Sequence, residues 1–185
     1  EDDGQEELIT IMFPDSKPAP GTMICINPET GKMKWYYQTG TGIIDMQLED
    51  INRDGKKEII LCTYAANLGV ELNQTRDYFS YLIILNNKGE VVRKRSHSTA
   101  GSISYNIAAD LENDGSIEII TASGGIGTRN MRSTISIYDP RDSKDKTLPK
   151  PWINLFFTRP SIIKSQDGSR LYIGDSKGVI RIFDP

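Results

Sequence analysis

Short apolar runs, separated by clusters of Gly, Pro, Asp and Asn, follow one another along the 185-residue chain. The runs alternate apolar and polar residues or are continuously apolar, and they are rich in Val, Ile, Tyr, Phe and Thr. This pattern is typical of β-strands, and no window shows the 3.6-residue period of a long helix. We therefore predict an all-β chain with strands at 8–13, 22–27, 32–37, 43–49, 57–64, 81–86, 91–95, 103–109, 117–123, 134–138, 152–158, 161–164, 171–174 and 179–183.

The predicted strands are grouped by a repeat that is marked by an Asp-Gly pair. The pairs are separated by 51, 60 and 53 residues, since they begin at residues 3, 54, 114 and 167. A period near 50 residues with four short strands predicts a β-propeller of four-stranded antiparallel blades. The chain then holds about three and a half blades, and we expect it to be part of a propeller of roughly six to eight blades. The predicted units are a partial blade (1–41), two blades (42–101 and 102–159) and a partial blade (160–185).

Two of the Asp-Gly pairs lie in acidic nine-residue segments, which we call the second-period loop (50–58) and the third-period loop (110–118). Calcium takes about six to eight oxygen ligands, and side chains at alternate positions of a tight loop point toward one ion. The glycine after the third such side chain permits the bend that brings later oxygens round. The predicted ligands are Asp50, Asn52, Asp54, the Lys56 carbonyl and Glu58 in one loop, and Asp110, Glu112, Asp114, the Ser116 carbonyl and Glu118 in the other.

The first and last periods carry incomplete copies of this loop. The N-terminal copy lacks the first ligand position, so a third calcium site there is a weaker prediction. The ligands that remain in it are Glu1, Asp3, the Gln5 carbonyl and Glu7. The last copy offers one carboxylate and predicts no tight site, because its ligand positions hold Ile163, Ser165, Asp167 and Leu171.

Two other interpretations of the loops compete with calcium binding. An EF-hand needs a carboxylate at its twelfth position and flanking helices, whereas Leu61 and Thr121 stand there and strands follow. A plain turn, in which Asp and Asn side chains bond their own backbone, stays open as an alternative. Against that alternative, the two loops concentrate three and four carboxylates within nine residues each, a repulsion that a cation would relieve.

Both loops resemble the calcium loops of the FG-GAP/VCBS repeat family, which includes the integrin α-subunit propeller and many bacterial surface and periplasmic proteins. Residues 28–37 and 175–184 are also similar to pieces of the repeats of quinoprotein (PQQ-like) propellers. The resemblance implies a propeller with Ca²⁺ bound in its loops. It also implies an alternative function, in which the chain is a fragment of a polysaccharide lyase or a quinoprotein dehydrogenase.

Composition and single residues bring little sign of catalysis. The chain has 22 Lys and Arg against 25 Asp and Glu, a net charge of −3 that disfavours a dedicated nucleic-acid binder. No apolar stretch is long enough for a membrane span. His97 is the only histidine and is predicted at the surface, with no metal cluster, haem motif or P-loop elsewhere. Cys25 and Cys62 lie within strands and are predicted to be buried thiols.

Loop positions predict where a partner binds. In a four-stranded blade the metal loops emerge on one face, together with the charged connection 139–151, which we interpret as a solvated loop. The longer loops 14–21, 67–80 and 124–132 emerge on the opposite face, where we predict a protein or glycan ligand. The open blade edges predict contact with the rest of the propeller or with a second chain.

Together these patterns favour a calcium-stabilised binding or scaffold module over an enzyme. Extracellular calcium modules bind the ion at about 10⁻⁴–10⁻³ M, so we expect an extracellular, cell-surface or periplasmic protein. The glycosylation sequon Asn73-Gln74-Thr75, on a predicted exposed loop, agrees with that location.

Overall fold

The computed structural model describes residues 6–12, 18–97, 102–125, 132–141, 144–147, 152–153, 157–165 and 168–183. This part of the chain is all-β and contains no helix, so the predicted fold class is confirmed at that level. Accordingly, none of the described residues belongs to a helix that could cross a membrane.

The chain begins with a three-stranded antiparallel sheet in the order β1-β2-β3. The bounds of its strands are Leu8–Met12 (β1), Gly21–Ile26 (β2) and Met33–Thr39 (β3). The turn between β2 and β3 is closed by Asn27, whose carbonyl accepts the Gly31 amide at 2.9 Å. Gly31 lies at φ +67°, a left-handed conformation that glycine adopts without steric cost.

A nine-stranded sheet follows and curls into a half-barrel. It contains two four-stranded antiparallel units, β4-β5-β8-β9 and β10-β11-β12-β13, and a short strand β14 that also pairs with β12. The units are joined where β10 pairs with β5, at Ile103–Tyr64 and Ser104–Thr63. The strands are Gly42–Glu49 (β4), Glu58–Tyr64 (β5), Tyr81–Leu85 (β8), Val91–Ser96 (β9), Ser102–Ala109 (β10), Glu118–Gly125 (β11), Arg132–Asp139 (β12), Lys144–Thr147 (β13) and Trp152–Ile153 (β14).

Two smaller sheets complete the described structure. A two-stranded hairpin, β6 (Glu71–Leu72) and β7 (Thr75–Arg76), lies between β5 and β8 in the chain. The last sheet has the order β15-β16-β17 and is antiparallel. Its strands are Ser161–Ser165 (β15), Gly168–Gly174 (β16) and Ile180–Phe183 (β17).

Three apolar clusters lie between consecutive sheets or units. Strand β5 shows the arrangement, because Ile59 and Leu61 pack toward the first sheet while Ile60 packs toward the third-period unit. In β11, Ile119 and Ile120 divide in the same way between the preceding unit and the last sheet. A strand buried on both faces reads as a continuous apolar run, which is why these two strands are so clear in the sequence.

The third period differs from its prediction. The charged connection 139–151 is not a simple loop, because β13 lies within it and pairs with the end of β12. Of the predicted strand 152–158, the structure shows β14 at its start and a single bridge between Phe157 and Asp175, while residues 154–156 lie outside the described residues. Strand β13 (KDKT) has no apolar alternation, so hydrophobic periodicity could not reveal it.

The loop predicted at 67–80 contains regular secondary structure. It contains the β6–β7 hairpin, whose turn residues Asn73 and Gln74 both adopt positive φ angles, 48° and 57°. Asp77 is buried, and its carboxylate accepts hydrogen bonds from the amides of Leu68 and Gly69. Asp77 therefore supports the loop from within through its carboxylate.

His97 is less exposed than predicted. It follows β9 and is half-buried, and its Nε2 atom is buried without a hydrogen-bond partner among the described residues. Two arginines of the same strand, Arg93 and Arg95, pair with Asp145 of β13 beside it. Burial and the positive charge of Arg95 lower the pKa of His97 from 6.5 to about 4, although Asp145 opposes the shift.

This environment predicts acid sensitivity. Because the pKa of His97 is lower in the folded chain than in the unfolded chain, stability is full above about pH 6.5 and falls as the pH drops toward 4. Urea unfolding of the wild type and of His97→Gln at pH 7.5 and pH 5 should show a smaller loss for the variant. Equal losses in both proteins would contradict a buried neutral histidine.

Candidate metal centre

The two complete acidic loops have the same backbone. Each connects the first two strands of its four-stranded unit, β4 to β5 or β10 to β11. Their fourth residues, Arg53 and Asn113, adopt φ angles of 61° and 54°, and their glycines adopt 85° (Gly55) and 84° (Gly115). These left-handed conformations bend both loops alike, so equivalent ligand positions face equivalent directions.

Three hydrogen bonds recur in both loops, and each uses one carboxylate oxygen on a backbone amide. The first-position aspartate accepts the glycine amide, at 2.9 Å for Asp50 and 3.1 Å for Asp110. The fifth-position aspartate accepts the seventh amide, at 2.8 Å in both loops. The ninth-position glutamate accepts the second amide, at 3.0 Å for Glu58 and 2.9 Å for Glu118. The second oxygens of the fifth- and ninth-position carboxylates are left for a further partner, whereas Asp50 Oδ1 also accepts the Asp54 amide at 3.1 Å.

In the second-period loop that partner includes a neutral amide. Asn52 Nδ2 lies 3.3 Å from Asp54 Oδ2 and 3.1 Å from Glu58 Oε1, so it donates to the second oxygens of both carboxylates. Asn52 Oδ1 meanwhile accepts the Asp54 amide at 2.9 Å. The side chains at positions three, five and nine of this loop therefore meet at one point.

In the third-period loop a guanidinium takes the same position. Arg141 Nη1 lies 2.5 Å from Asp114 Oδ2, and Arg141 Nη2 lies 3.6 Å from Glu118 Oε1. Arg141 is itself held by Asp139, with Nε 3.1 Å from Oδ1 and Nη2 2.8 Å from Oδ2. Two buried acceptors of this loop, Asp110 Oδ1 and Glu118 Oε1, have no hydrogen bond within the described residues.

The ninth-position glutamates are the carboxylates of these loops whose ionised form is disfavoured by burial. Glu58 is 4% exposed and Glu118 is 2% exposed, and burial raises the pKa of both carboxyl groups above the ordinary value. Neighbouring aspartates add to the rise, since Asp54 repels Glu58 and Asp114 repels Glu118. By contrast, the hydrogen bond from Arg141 lowers the pKa of Asp114. A divalent cation at the convergence point would relieve the burial cost of each glutamate.

The two loops lie side by side. A Cβ atom on Gly115 would lie 2.5 Å from Nη2 of Arg53, so the second-period loop touches the bend of the third-period loop. Between them is a cleft of about 330 Å³, lined by Asn52 and Arg53 on one side and by Asp114, Ser116 and Arg141 on the other. Solvent and ions can thus reach both convergence points from the same face.

The remaining predicted ligands are placed less centrally. Glu112 is exposed, and no hydrogen bond joins its carboxylate to another described residue. Lys56 and Ser116 are the seventh residues whose amides hold the fifth-position aspartates, and ligation by their carbonyls stays a prediction. Glu7 pairs with Lys34 at 2.8 Å. Glu1, Asp3 and Gln5, and Asp167 of the last copy, lie outside the described residues.

The loops do not form a complete metal cage as they stand. Across the described ranges, no group of three or more His, Cys, Asp or Glu side chains is placed to hold a metal ion. In each loop a nitrogen lies among the carboxylates instead, from Asn52 or from Arg141. The donor chemistry nonetheless fits calcium, because the oxygens that converge on that nitrogen are the hard ligands the ion prefers.

Sequence reasoning missed Arg141 as part of this centre. It placed the residue in a charged loop on the metal face, but it did not connect that loop to Asp114, 27 residues earlier. The available signal was positional, since the turn after the third strand emerges beside the metal loop. The two cysteines match their prediction: Cys25 and Cys62 are free and buried, and burial raises the pKa of the Cys62 thiol to about 11.

Comparisons with protein-family models and with curated proteins found no match.

Substitutions of Glu118 in metal-free protein test whether its carboxylate oxygen stabilises the loop. Glu118→Ala leaves the Leu111 amide without its acceptor and should cost about 1–3 kcal/mol of unfolding free energy. Glu118→Gln keeps an acceptor and removes a buried charge, so it should be at least as stable as the wild type. Urea denaturation in EGTA measures all three proteins. Equal destabilisation by both substitutions would contradict the proposed role of the carboxylate oxygen.

Proposed function

We propose that this chain is a calcium-stabilised segment of a β-propeller of the FG-GAP/VCBS type. In this proposal it serves as a non-catalytic binding or scaffold module of an extracellular, cell-surface or periplasmic protein. The observation that carries the proposal is the pair of matching loops, in which backbone amides hold one oxygen of the first-, fifth- and ninth-position carboxylates. The second oxygens of the fifth and ninth positions face a shared nitrogen, from Asn52 in one loop and from Arg141 in the other.

The order of the strands supports the propeller. Two four-stranded antiparallel units follow each other in the chain and pack face to face, with three-stranded sheets before and after them. Short repeated antiparallel sheets with radial packing are the building plan of propellers. The pairing of β10 with β5 departs from separate blades and is confined to two residue pairs.

Calcium would act in this module by fixing the loops. Each loop joins two adjacent strands, and its second residue enters an apolar cluster: Ile51 between the two units, and Leu111 next to the last sheet. An ion that holds the first, fifth and ninth positions together therefore fixes both the strand connection and the adjoining core. The residues that would bind it are Asp50, Asn52, Asp54 and Glu58, and Asp110, Asp114 and Glu118.

The opposite face supplies the candidate surface for a protein or glycan. Of the three loops predicted there, only 67–80 is fully described. Tyr78 is 45% exposed on this segment and stacks edge-to-face on Phe79, with the ring centroids 5.2 Å apart. A rigid, partly exposed aromatic pair on an ordered hairpin loop suits ligand contact better than a loop that must be ordered on binding. The extracellular or periplasmic location rests on the calcium affinity expected for such loops.

The stabilising role of calcium is testable by thermal unfolding. Millimolar Ca²⁺ should raise the melting temperature, and EGTA should reverse the rise, because the ion binds only the folded loops. The double variant Asp50→Asn with Asp110→Asn should lose most of this response. The matched control Glu29→Gln removes an exposed acidic group from the β2–β3 turn and should keep the response. A melting temperature that ignores both Ca²⁺ and EGTA would refute the proposal.

A further inference from the structure

The two loops differ in what compensates their carboxylates. In the second-period loop the convergence point holds Asn52, a residue of the loop itself. In the third-period loop it holds Arg141, which belongs to the turn between β12 and β13. The residue in the loop position of Asn52 is Glu112, an exposed carboxylate that cannot donate a hydrogen bond when ionised.

The position of Arg141 has an exact counterpart in the preceding unit, which is Lys88. Ile59 pairs with Leu85 and Ile119 pairs with Tyr138, so each basic residue follows the paired residue of its third strand by three positions. One hydrogen bond also recurs: Asn86 Oδ1 accepts the Lys88 amide at 2.9 Å, and Asp139 Oδ1 accepts the Arg141 amide at 2.9 Å.

The two turns nevertheless place their cations differently. Asp139 adds a charged clamp on the Arg141 guanidinium, which is thereby aimed at Asp114. Asn86 is neutral, and its side-chain nitrogen donates to Glu90 instead. No ion pair joins Lys88 to a carboxylate of the second-period loop within the described part of the chain. Of the two acidic loops, the third-period loop is therefore the one in which a basic side chain of the following turn lies among the carboxylates.

We propose that Arg141 is a built-in competitor for calcium, which occupies the metal position of the third-period loop until the ion displaces it. This inference rests on the proposed function of the loops. The guanidinium satisfies Asp114 directly and faces the otherwise unpartnered Glu118 Oε1, the same two oxygens that the ion requires. Calcium binding must break the Arg141–Asp114 pair and leave the guanidinium on Asp139 alone.

Two consequences follow for the protein. The third-period loop binds calcium more weakly than its four carboxylates would suggest, because Arg141 already neutralises part of their negative charge. The loop also stays closed when calcium is absent, since the guanidinium partly neutralises its charge. Occupancy of this loop is then coupled to the position of the Arg141 side chain, whereas within the described residues the second-period loop holds no such cation.

Calorimetric titration of Ca²⁺ into chains with one loop disabled tests the proposal. In a background of Asp50→Asn and Asp54→Asn, only the third-period loop is intact, and Arg141→Gln should tighten its calcium affinity by about tenfold. Arg141→Lys keeps a charge but loses the planar fork, and its affinity should lie between the two. In the reciprocal background, Asp110→Asn and Asp114→Asn, the matched control Lys88→Gln should change affinity by less than about twofold.

The arginine side chain gives a second, independent readout. The Nε–H resonance of Arg141, assigned by its loss in Arg141→Gln, should shift on addition of Ca²⁺ to the otherwise unaltered chain. Equal calcium affinity with Arg141 or Gln, or weaker binding by the glutamine variant, would overturn the competitor role while leaving calcium binding in place. Absence of calcium binding to every variant would instead overturn the proposed function, and this inference with it.

Discussion

Closure of each acidic loop depends on one buried carboxylate, the glutamate at the ninth position. Its Oε2 atom accepts the amide of the second residue, which ties the start of one strand to the end of the strand before it. The second residue is then directed into an apolar cluster, Ile51 in one loop and Leu111 in the other. A buried carboxylate oxygen without a partner costs free energy. The second oxygen of this glutamate therefore needs a cation or a hydrogen-bond donor next to it.

The two loops satisfy that requirement with different chemistry on one backbone. A neutral amide from within the loop meets Glu58, whereas a guanidinium from a neighbouring turn faces Glu118. The amide of Asn52 belongs to the same loop as Glu58. Arg141, in contrast, connects the third-period loop to the hairpin of β12 and β13. Calcium would bind the same carboxylate oxygens in both loops, in place of the Asn52 amide nitrogen in one and of the Arg141 guanidinium in the other.

Most of the β-structure and the shape of the acidic loops were predictable from sequence. Apolar runs such as β5 are decisive because they are buried on both faces, and Gly55 fixes the loop bend through a conformation that few other residues adopt. Three features were not predictable. Strand β13 is polar throughout, His97 is half-buried next to the Arg95–Asp145 pair, and Arg141 reaches a carboxylate 27 residues away. Each of these depends on which strands become neighbours, and local spacing does not encode that.

Anomalous scattering from crystals of the chain grown with calcium would show whether both acidic loops bind the ion. The account predicts one anomalous peak in each of the two loops, about 2.3–2.6 Å from the ninth-position glutamate. Asn52 would turn its oxygen toward the peak, and Arg141 would leave Asp114. Calcium binding by the loops would be contradicted if neither loop showed a peak at millimolar calcium. In that case the Asn52 amide and the Arg141 guanidinium would still lie among the carboxylates.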